Sequence, residues 1–378
     1  MYSIGMPAEL IEIKDLNRDI EKLKKCADCV DAGGLVVFPT ETVYGIACRA
    51  QGKSLERLDA VKQRNLDKRY TLHIGDKNKL SEYVPSLTMP AAKLVKNAWP
   101  GPLTIVFEIS QNEIQNLKYK HGSETVEILY KDNTIGIRCP DEPVGSKLLD
   151  LCKFPVVAPS ANLGGQNPAT TGKQAFEQIG QFVDIVIDAG KCKYEKSSTV
   201  AKISPSGLKI LRVGGYSEAQ LRKMYNINIL FVCSGNTCRS PMAEGLAKKI
   251  IAEKICCNID QLDDMGYKIE SAGVLAVKGF AASDGSVRFC ASKGADISNH
   301  QSQRLTGEKI KNADYIFAMS NGHKDAIIQL CPQAEQKTML LEDGEDINDP
   351  IGGDYDAYAA CGLEIEKALD ARMKELFP

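Results

Sequence analysis

The stretch Ile229-Leu230-Phe231-Val232-Cys233-Ser234-Gly235-Asn236-Thr237-Cys238-Arg239-Ser240-Pro241 decides the fold of the second half of the chain. Ile229 to Val232 is an unbroken apolar run and reads as a strand buried on both faces. A short loop follows, opened by Cys233 and closed by Arg239. Ser240 and Pro241 then read as the N-cap and first residue of a helix. A loop between a buried strand and a helix N-terminus gathers backbone N–H groups and the positive end of the helix dipole. Such a loop favours an anion, and it favours the thiolate of Cys233 over the thiol. Arg239 offers a planar fork for two phosphate oxygens. A nucleophile, an anion cradle and a bidentate clamp thus share one loop.

The rest of this half alternates strands with helices. Met242, Leu246 and Ile250 form the core-facing stripe of the helix after the loop. A strand around Tyr267 ends in Ser271-Ala272-Gly273. A helix is expected over 281–294, capped by Gly294, and strands at Asp314 to Met319 and Thr338 to Leu341. This order predicts an α/β domain on a parallel sheet. The Cys233 loop then lies at a strand's C-terminal end, where open α/β sheets bind ligands.

The whole chain has 378 residues, which suggests two domains. Its formal net charge of -2 demands neither a polyanionic partner nor a membrane surface. Met1-Tyr2-Ser3-Ile4-Gly5 lacks the features of a signal peptide, and no apolar run is long enough to span a bilayer. The 13 cysteines are odd in number and scattered, which reads as reduced thiols in a cytoplasm. Cys26 and Cys29 form a CxxC, but no second pair stands at zinc spacing, so no metal site is expected. The polar segment Tyr216 to Asn228 places the boundary near 222–227, giving domains 1–222 and 227–378.

The first half carries many short strands and few long helices. Leu35 to Phe38, Tyr70 to Ile74, Leu103 to Phe107, Thr134 to Arg138, Val183 to Asp188, Ser198 to Ile203 and Lys209 to Val213 are strand-like. An amphipathic helix is expected over 15–32 and another over 54–63. These features predict an α+β domain on a twisted, mixed sheet. Several strands end in hydroxyl, amide or cationic residues, a pattern that suits a concave site for a phosphorylated ligand.

Taken in order, the motifs PTETVYG (39–45), KQR (62–64), GIRCP (136–140), PSAN (159–162), SSTV (197–200) and LRVGG (211–215) resemble the YrdC-type threonylcarbamoyl-AMP synthase family. The resemblance covers roughly residues 15–220. It implies synthesis of threonylcarbamoyl-adenylate and pyrophosphate from L-threonine, bicarbonate and ATP, a nucleotidyltransferase reaction that supplies the tRNA threonylcarbamoyladenosine modification machinery. It also implies a site. Lys62, Arg64, Ser160 and Asn162 match the family's Lys-x-Arg and Ser-x-Asn signature, and Lys68 continues its basic cluster. Thr40 and His73 match threonine-side contacts, and Arg138 matches the arginine for the substrate carboxylate. Thr134, Thr170, Ser198 and Arg212 match further ATP or threonine contacts. Magnesium would accompany the ATP, although no acidic ligand for it is evident. Asn65 stands where the family usually has proline, a second proline is replaced near Arg69-Tyr70, and the charged insert Gln111 to Asp132 shows no clear pattern.

In the second half, Asp349-Pro350-Ile351-Gly352-Gly353 joins the Cys233 loop in a resemblance to the low-molecular-weight protein tyrosine phosphatase family, over about 227–378. It implies that Cys233 forms a phosphocysteine, Arg239 orients the phosphoryl oxygens, and Asp349 serves as acid and then base, without metal. Ser234, Gly235, Asn236, Thr237, Cys238 and Ser240 complete the phosphate loop. Cys238 could also pair reversibly with Cys233. The substrate would be a phosphoprotein, with phosphotyrosine as the family's default. Thr237 stands where tyrosine-specific members carry a branched apolar residue, and this resembles the bacterial protein-arginine phosphatase branch. Arsenate reduction would need a resolving cysteine pair, and Cys290, Cys331 and Cys361 stand alone. The expected protein is therefore a cytoplasmic fusion of two enzymes. The alternative is a phosphoarginine phosphatase fused to a YrdC-like module that binds RNA or nucleotide without synthesis.

Overall fold

The computed structural model describes residues 7–63 and 69–377, and it divides the chain into two compact units between Tyr225 and Asn226. The first unit runs β1 (Glu9–Glu12), α1 (Ile20–Asp31), β2 (Val36–Phe38), β3 (Gly45–Arg49), α2 (Gly52–Lys62), β4 (Thr71–His73), α3 (Met89–Ala98), β5 (Leu103–Glu108), α4 (Gln111–His121), α5 (Ser123–Leu129), β6 (Thr134–Arg138), α6 (Pro143–Leu151), β7 (Val156–Val157), α7 (Gly172–Ile179), β8 (Ile185–Asp188), β9 (Thr199–Ser204), β10 (Gly207–Arg212) and α8 (Glu218–Tyr225). Its strands form one sheet in the order β1-β8-β2-β3-β7-β4-β6-β5-β9-β10. The sheet is mixed: β1, β8 and β2 run parallel, while β2, β3, β7 and β4 alternate in direction.

Strands β2 and β7 of this sheet, and all but the last residue of β3, are apolar on both sides, whereas β4 and β6 carry His73, Thr134 and Arg138 among their apolar residues. On β2, Val36 and Phe38 pack with Leu23, Val30, Val144 and Leu148 of α1 and α6. Val37, between them, faces the opposite core with Ile46, Leu72 and Leu103. This is the two-residue period of a strand read directly in burial. The helix expected over 15–32 begins only at Ile20, because Asp19 turns back to accept the N–H groups of Lys14 and Asp15. The insert that showed no pattern is two helices, α4 and α5. Ser110 and Glu113 form a capping box at its start, and Ile114, Leu117, Val126 and Leu129 supply its buried side. The period was masked by the charges between those residues.

The second unit runs β11 (Ile227–Cys233), α9 (Arg239–Lys254), β12 (Tyr267–Gly273), α10 (Asp284–Ser292), α11 (Gly307–Asn312), β13 (Tyr315–Ala318), α12 (Asn321–Leu330), β14 (Thr338–Leu340) and α13 (Tyr355–Leu376). Its four strands are all parallel, in the order β12-β11-β13-β14. Leu230 and Val232 point to the face closed by Ile310 and Ile327 of α11 and α12. Phe231 lies on the other face and stacks on Phe317 at 5.6 Å between ring centroids.

Helix α9 starts earlier than the Ser-Pro signal indicates. Arg239 is its first residue, Cys238 occupies the cap position without a side-chain cap bond, and Ser240 lies inside the first turn. The Ser240 hydroxyl is engaged elsewhere, as described below. The buried stripe of α9 continues from Met242 and Leu246 to Ile251, leaving Ile250 half-buried. Among the described residues, no helix is long and apolar enough to cross a membrane.

Candidate functional sites

In the second unit, Cys233 ends β11 and is buried. Its Sγ lies 2.9 Å from Ser240 Oγ and accepts the Asn236 backbone N–H at 3.3 Å. Asn236 bends the loop in the left-handed region at φ 57° and is fully buried. Its side-chain amide donates to Ser240 Oγ at 2.9 Å and to Ser271 Oγ at 2.8 Å. Ser271 in turn donates to Glu244 at 2.6 Å, so its oxygen is left to accept. Because Ser240 accepts from Asn236, its one proton can go to the sulfur at 2.9 Å or to Ala272 O at 3.5 Å, and a thiolate at the shorter distance is the stronger acceptor. A thiolate can only accept, and this network presents it with donors. Gln303 N–H binds Asn236 Oδ1 at 2.8 Å, and His300 Nε2 lies 2.8 Å from Asn236 O, completing the hold on this residue.

Gly273 ends β12 against this loop. A Cβ there would stand 2.4 Å from Ser234 O and 2.9 Å from Asn236 N, so only glycine permits the approach. Gly235 is exposed and Thr237 half-buried at the mouth of the loop. The Cys238 thiol faces Ser283 Oγ at 3.0 Å and Tyr358 Oη at 3.6 Å.

Arg239 is buried, and its guanidinium holds the acid loop. Nη1 donates to Ile347 O at 3.1 Å, and Nη2 forms an ion pair with Asp349. Asn348 beside it donates through N–H and Nδ2 to Glu364, at 3.1 and 2.8 Å. The structure thus brings Cys233, Ser240, Arg239 and Asp349 together, from sites more than a hundred residues apart in sequence. Sequence reasoning missed Ser271, Glu244, His300 and Gln303. Only the fold assembles them, and no local spacing marks them.

In the first unit, a cavity of about 740 Å³ opens on the sheet. Thr40, Lys62, His73, Thr134, Arg138, Ser160, Asn162, Ser198 and Arg212 all line it. Thr170 does not: its hydroxyl and N–H bind Gln174 Oε1, both at 3.0 Å, at the start of α7. Arg64 and Lys68 lie outside the described residues. The lining also includes Arg69, Thr104 and Lys202, which the motif order did not single out as ligands. Arg69 pairs with Asp132 and donates to Thr134 at 2.5 Å.

The signature residues are linked to one another. Lys62 Nζ donates to Ser160 O at 2.8 Å, Asn162 O at 2.6 Å and Asn162 Oδ1 at 3.0 Å. The lysine therefore fixes the Ser-x-Asn loop. Arg212 donates to Ser198 O at 2.9 Å. Burial, and then the Arg138 charge, lower the pKa of Arg212 below its ordinary value. Arg138 is buried, pairs with Glu41 at 3.1 Å and donates to Thr42 at 2.6 Å. Its Nε has no partner among the described residues. Two cations near each other and a buried, unpartnered N–H make the wall attractive to an anion. His73 is buried, and burial first, then Arg138, lower its pKa to about 3. It is a neutral imidazole whose Nδ1 donates to Thr71 O at 3.1 Å, leaving Nε2 as an acceptor.

Among the described residues, the lining includes cations and hydroxyls but no carboxylate. These described residues by themselves do not form a magnesium cage, because that ion takes carboxylate and water oxygens. No group of three or more metal-ligating side chains occurs among the described residues.

Comparison with known proteins separates the same two halves. The Sua5/YciO/YrdC family model, described as "Telomere recombination", matches residues 28–214. The model for low molecular weight phosphotyrosine protein phosphatase matches 228–377. A protein of Methanocaldococcus jannaschii named "Putative threonylcarbamoyl-AMP synthase" is 33% identical over 216 residues, covering 56% of this chain and 95% of its own length. The threonylcarbamoyl-AMP synthase of Pyrococcus abyssi is 29% identical over 204 residues, and the match spans 54% of this chain and only 57% of that longer protein. The protein-arginine-phosphatase of Geobacillus stearothermophilus is 39% identical over 154 residues, covering 39% of this chain and 95% of its own. The chain belongs to the Sua5/YciO/YrdC family over its first half and to the low-molecular-weight phosphotyrosine protein phosphatase family over its second.

Proposed function

We propose that the chain is a bifunctional enzyme: a threonylcarbamoyl-AMP synthase followed by a phosphoprotein phosphatase. For the first half the carrying observation is the cavity wall of Arg138, Arg212, Lys62 and the Ser160–Asn162 loop. The unpartnered Nε of Arg138 would take the threonine carboxylate. Neutral His73, with Nε2 accepting, would take the threonine hydroxyl or amine proton. The threonine amine and bicarbonate condense to a carbamate with loss of water, a carbamate oxygen attacks the α-phosphorus of ATP, and pyrophosphate leaves. Arg212, Arg69 and Lys202 supply positive charge for the phosphates, and the family resemblance adds Arg64 and Lys68 as candidates for the same task. Any magnesium would be held by phosphate and water oxygens, and no step is assigned to it. The product would pass to the machinery that completes the tRNA modification. The test is pyrophosphate release that requires both threonine and bicarbonate. Release that needs neither, or none at all, would remove the synthase reading and leave a nucleotide- or RNA-binding module.

For the second half the carrying observation is Cys233 held by Ser240 and Asn236 in the same loop whose Arg239 is paired with Asp349. Cys233 Sγ attacks phosphorus as the ester or amidate bond breaks, and Asp349 gives its proton to the leaving atom. Water, deprotonated by Asp349, then releases phosphate from the cysteine. Thr237 at the loop mouth, Ile351-Gly352-Gly353 after the acid, and the 39% identity to a protein-arginine-phosphatase favour phosphoarginine as the substrate. Turnover of phosphoarginine and phosphotyrosine peptides by the intact chain decides between them. A higher kcat/KM on phosphotyrosine would overturn the phosphoarginine reading. Loss of all hydrolysis in Cys233→Ser is required by both. The expected setting is the cytoplasm, in keeping with the free cysteines throughout the described residues.

A further inference from the structure

The first turn of α12 touches both loops of the phosphatase site. Ser320 is its N-cap, and its hydroxyl accepts the His323 backbone N–H. The His323 imidazole is buried and bridges two hydroxyls. Nδ1 lies 2.8 Å from Ser320 Oγ, and Nε2 lies 2.8 Å from Ser234 Oγ, on the residue after Cys233. Two residues earlier, Asn321 donates its backbone N–H and its side-chain amide to Asp346 Oδ1, at 2.7 and 2.9 Å. Just before the cap, Met319 O accepts the Ile347 N–H at 2.8 Å. Asp346 and Ile347 lead directly into Asn348 and Asp349. One helical turn therefore holds the nucleophile loop with one side chain and the acid loop with another.

The protonation of the imidazole follows from its surroundings. Burial, and then the Arg239 charge, lower its pKa to about 4, while Asp349 and Asp346 act in the opposite direction. At neutral pH the ring carries one N–H. Ser320 Oγ has a proton to give and a second lone pair besides the one that takes the backbone N–H, so it can meet Nδ1 in either role. The nitrogen that carries the proton donates to its serine and the other accepts from its own, so either tautomer ties Ser234 to Ser320 through the ring. A leucine would fill the same space without a buried polar group, so packing alone does not require a histidine here.

We infer that His323 is a positioning residue for phosphoryl transfer: by tying Ser234 to the α12 turn that also holds Asp346, it sets the placement of Cys233 relative to Asp349. This rests on the phosphatase reading above. It concerns the acid step, so its loss weighs most on substrates whose leaving group needs a proton.

The experiment uses the intact chain and two substrates, p-nitrophenyl phosphate with a good leaving group and phenyl phosphate with a poor one. In His323→Ala, kcat is expected to fall about tenfold on the first and about a hundredfold on the second, with KM within about threefold. Ser234→Ala should show the same pattern. The double variant should be no slower than the slower single one, because both remove one link. His323→Gln, whose amide offers Ser234 both a donor and an acceptor, should recover part of the loss. Equal losses on the two substrates, a change in KM alone, or additive effects in the double variant would overturn the inference. If His323→Ala does not fold, His323→Gln and Ser234→Ala decide by the same ratio. Failure of the phosphatase reading looks different: the unaltered chain would then hydrolyse neither substrate faster than Cys233→Ser.

Discussion

Replacing Asp349 with Asn separates binding from catalysis in the phosphatase half. In the free protein Nη2 of Arg239 is engaged with Asp349, so an arriving phosphoryl group competes with a carboxylate for the same nitrogen. Two unit charges about 4 Å apart interact by about 4 kcal/mol at an effective dielectric constant of about 20. The Asp349 side chain is 40% exposed while that of Arg239 is 8% exposed, so solvent screens much of this attraction. A discounted value of about 1.4 kcal/mol remains, or about tenfold in affinity. The Asn variant keeps the shape of the loop, and the Arg239–Ile347 bond still holds the guanidinium in place. It should therefore bind inorganic phosphate about tenfold more tightly, while kcat on phenyl phosphate falls by about a hundredfold or more for want of the acid. Phosphate is measured as a competitive inhibitor of p-nitrophenyl phosphate and by calorimetry on the intact chain. An unchanged or weaker phosphate affinity in Asp349→Asn would refute the competition, whatever the effect on turnover.

Other consequences concern both halves. Thr237→Ile should shift the ratio of phosphoarginine to phosphotyrosine kcat/KM toward phosphotyrosine by about tenfold, measured with matched peptides. Arg69→Ala should raise the KM for ATP by about tenfold with little change in kcat, by loss of a charge-assisted contact; an unaltered KM would place Arg69 outside the phosphate path. Gly273→Ala drives a methyl into Ser234 O and should cost about 1–3 kcal/mol in denaturant unfolding and lower phosphatase kcat. His73 binds fewer protons folded than unfolded between its folded value of about 3 and the ordinary 6.5. Stability of the first half is then full above pH 6.5 and falls as the pH drops, by about 2 kcal/mol on reaching pH 5. Urea titrations of His73→Gln should show that part of the slope removed.

The Cys233 stretch was legible because strand, loop and helix lie consecutively, and the chemistry of each residue type agrees with its place. The cavity of the first half was legible only as an order of motifs. What binds those motifs together, such as Lys62 reaching the Ser160–Asn162 loop, depends on contacts about a hundred residues apart. The start of α9 was misread because Ser240 is an excellent cap by type, yet its hydroxyl serves Cys233 and Asn236. Local propensity yielded to the site. The α4–α5 insert carried a signal that went unread, since Ser110 and Glu113 stand at capping-box spacing. Thr170 matched a pattern by type and position, but Gln174 uses its hydroxyl. His323 carries no motif at all, and only the packing of α12 against the loop makes it visible.

The pairing of β1 with β8 bears on how the protein is made. Glu9 to Glu12 are made long before their partner strand at Ile185 to Asp188. At the usual pace of translation of about 5–20 residues per second, β1 waits roughly ten to thirty seconds for a place in the sheet. During that time Ile11 can meet only the part of its core already made, such as Leu23, Val36 and Phe38, and the two exposed strand edges invite wrong partners. A nascent chain halted before residue 185 should therefore lean on a chaperone, and one released after it should not.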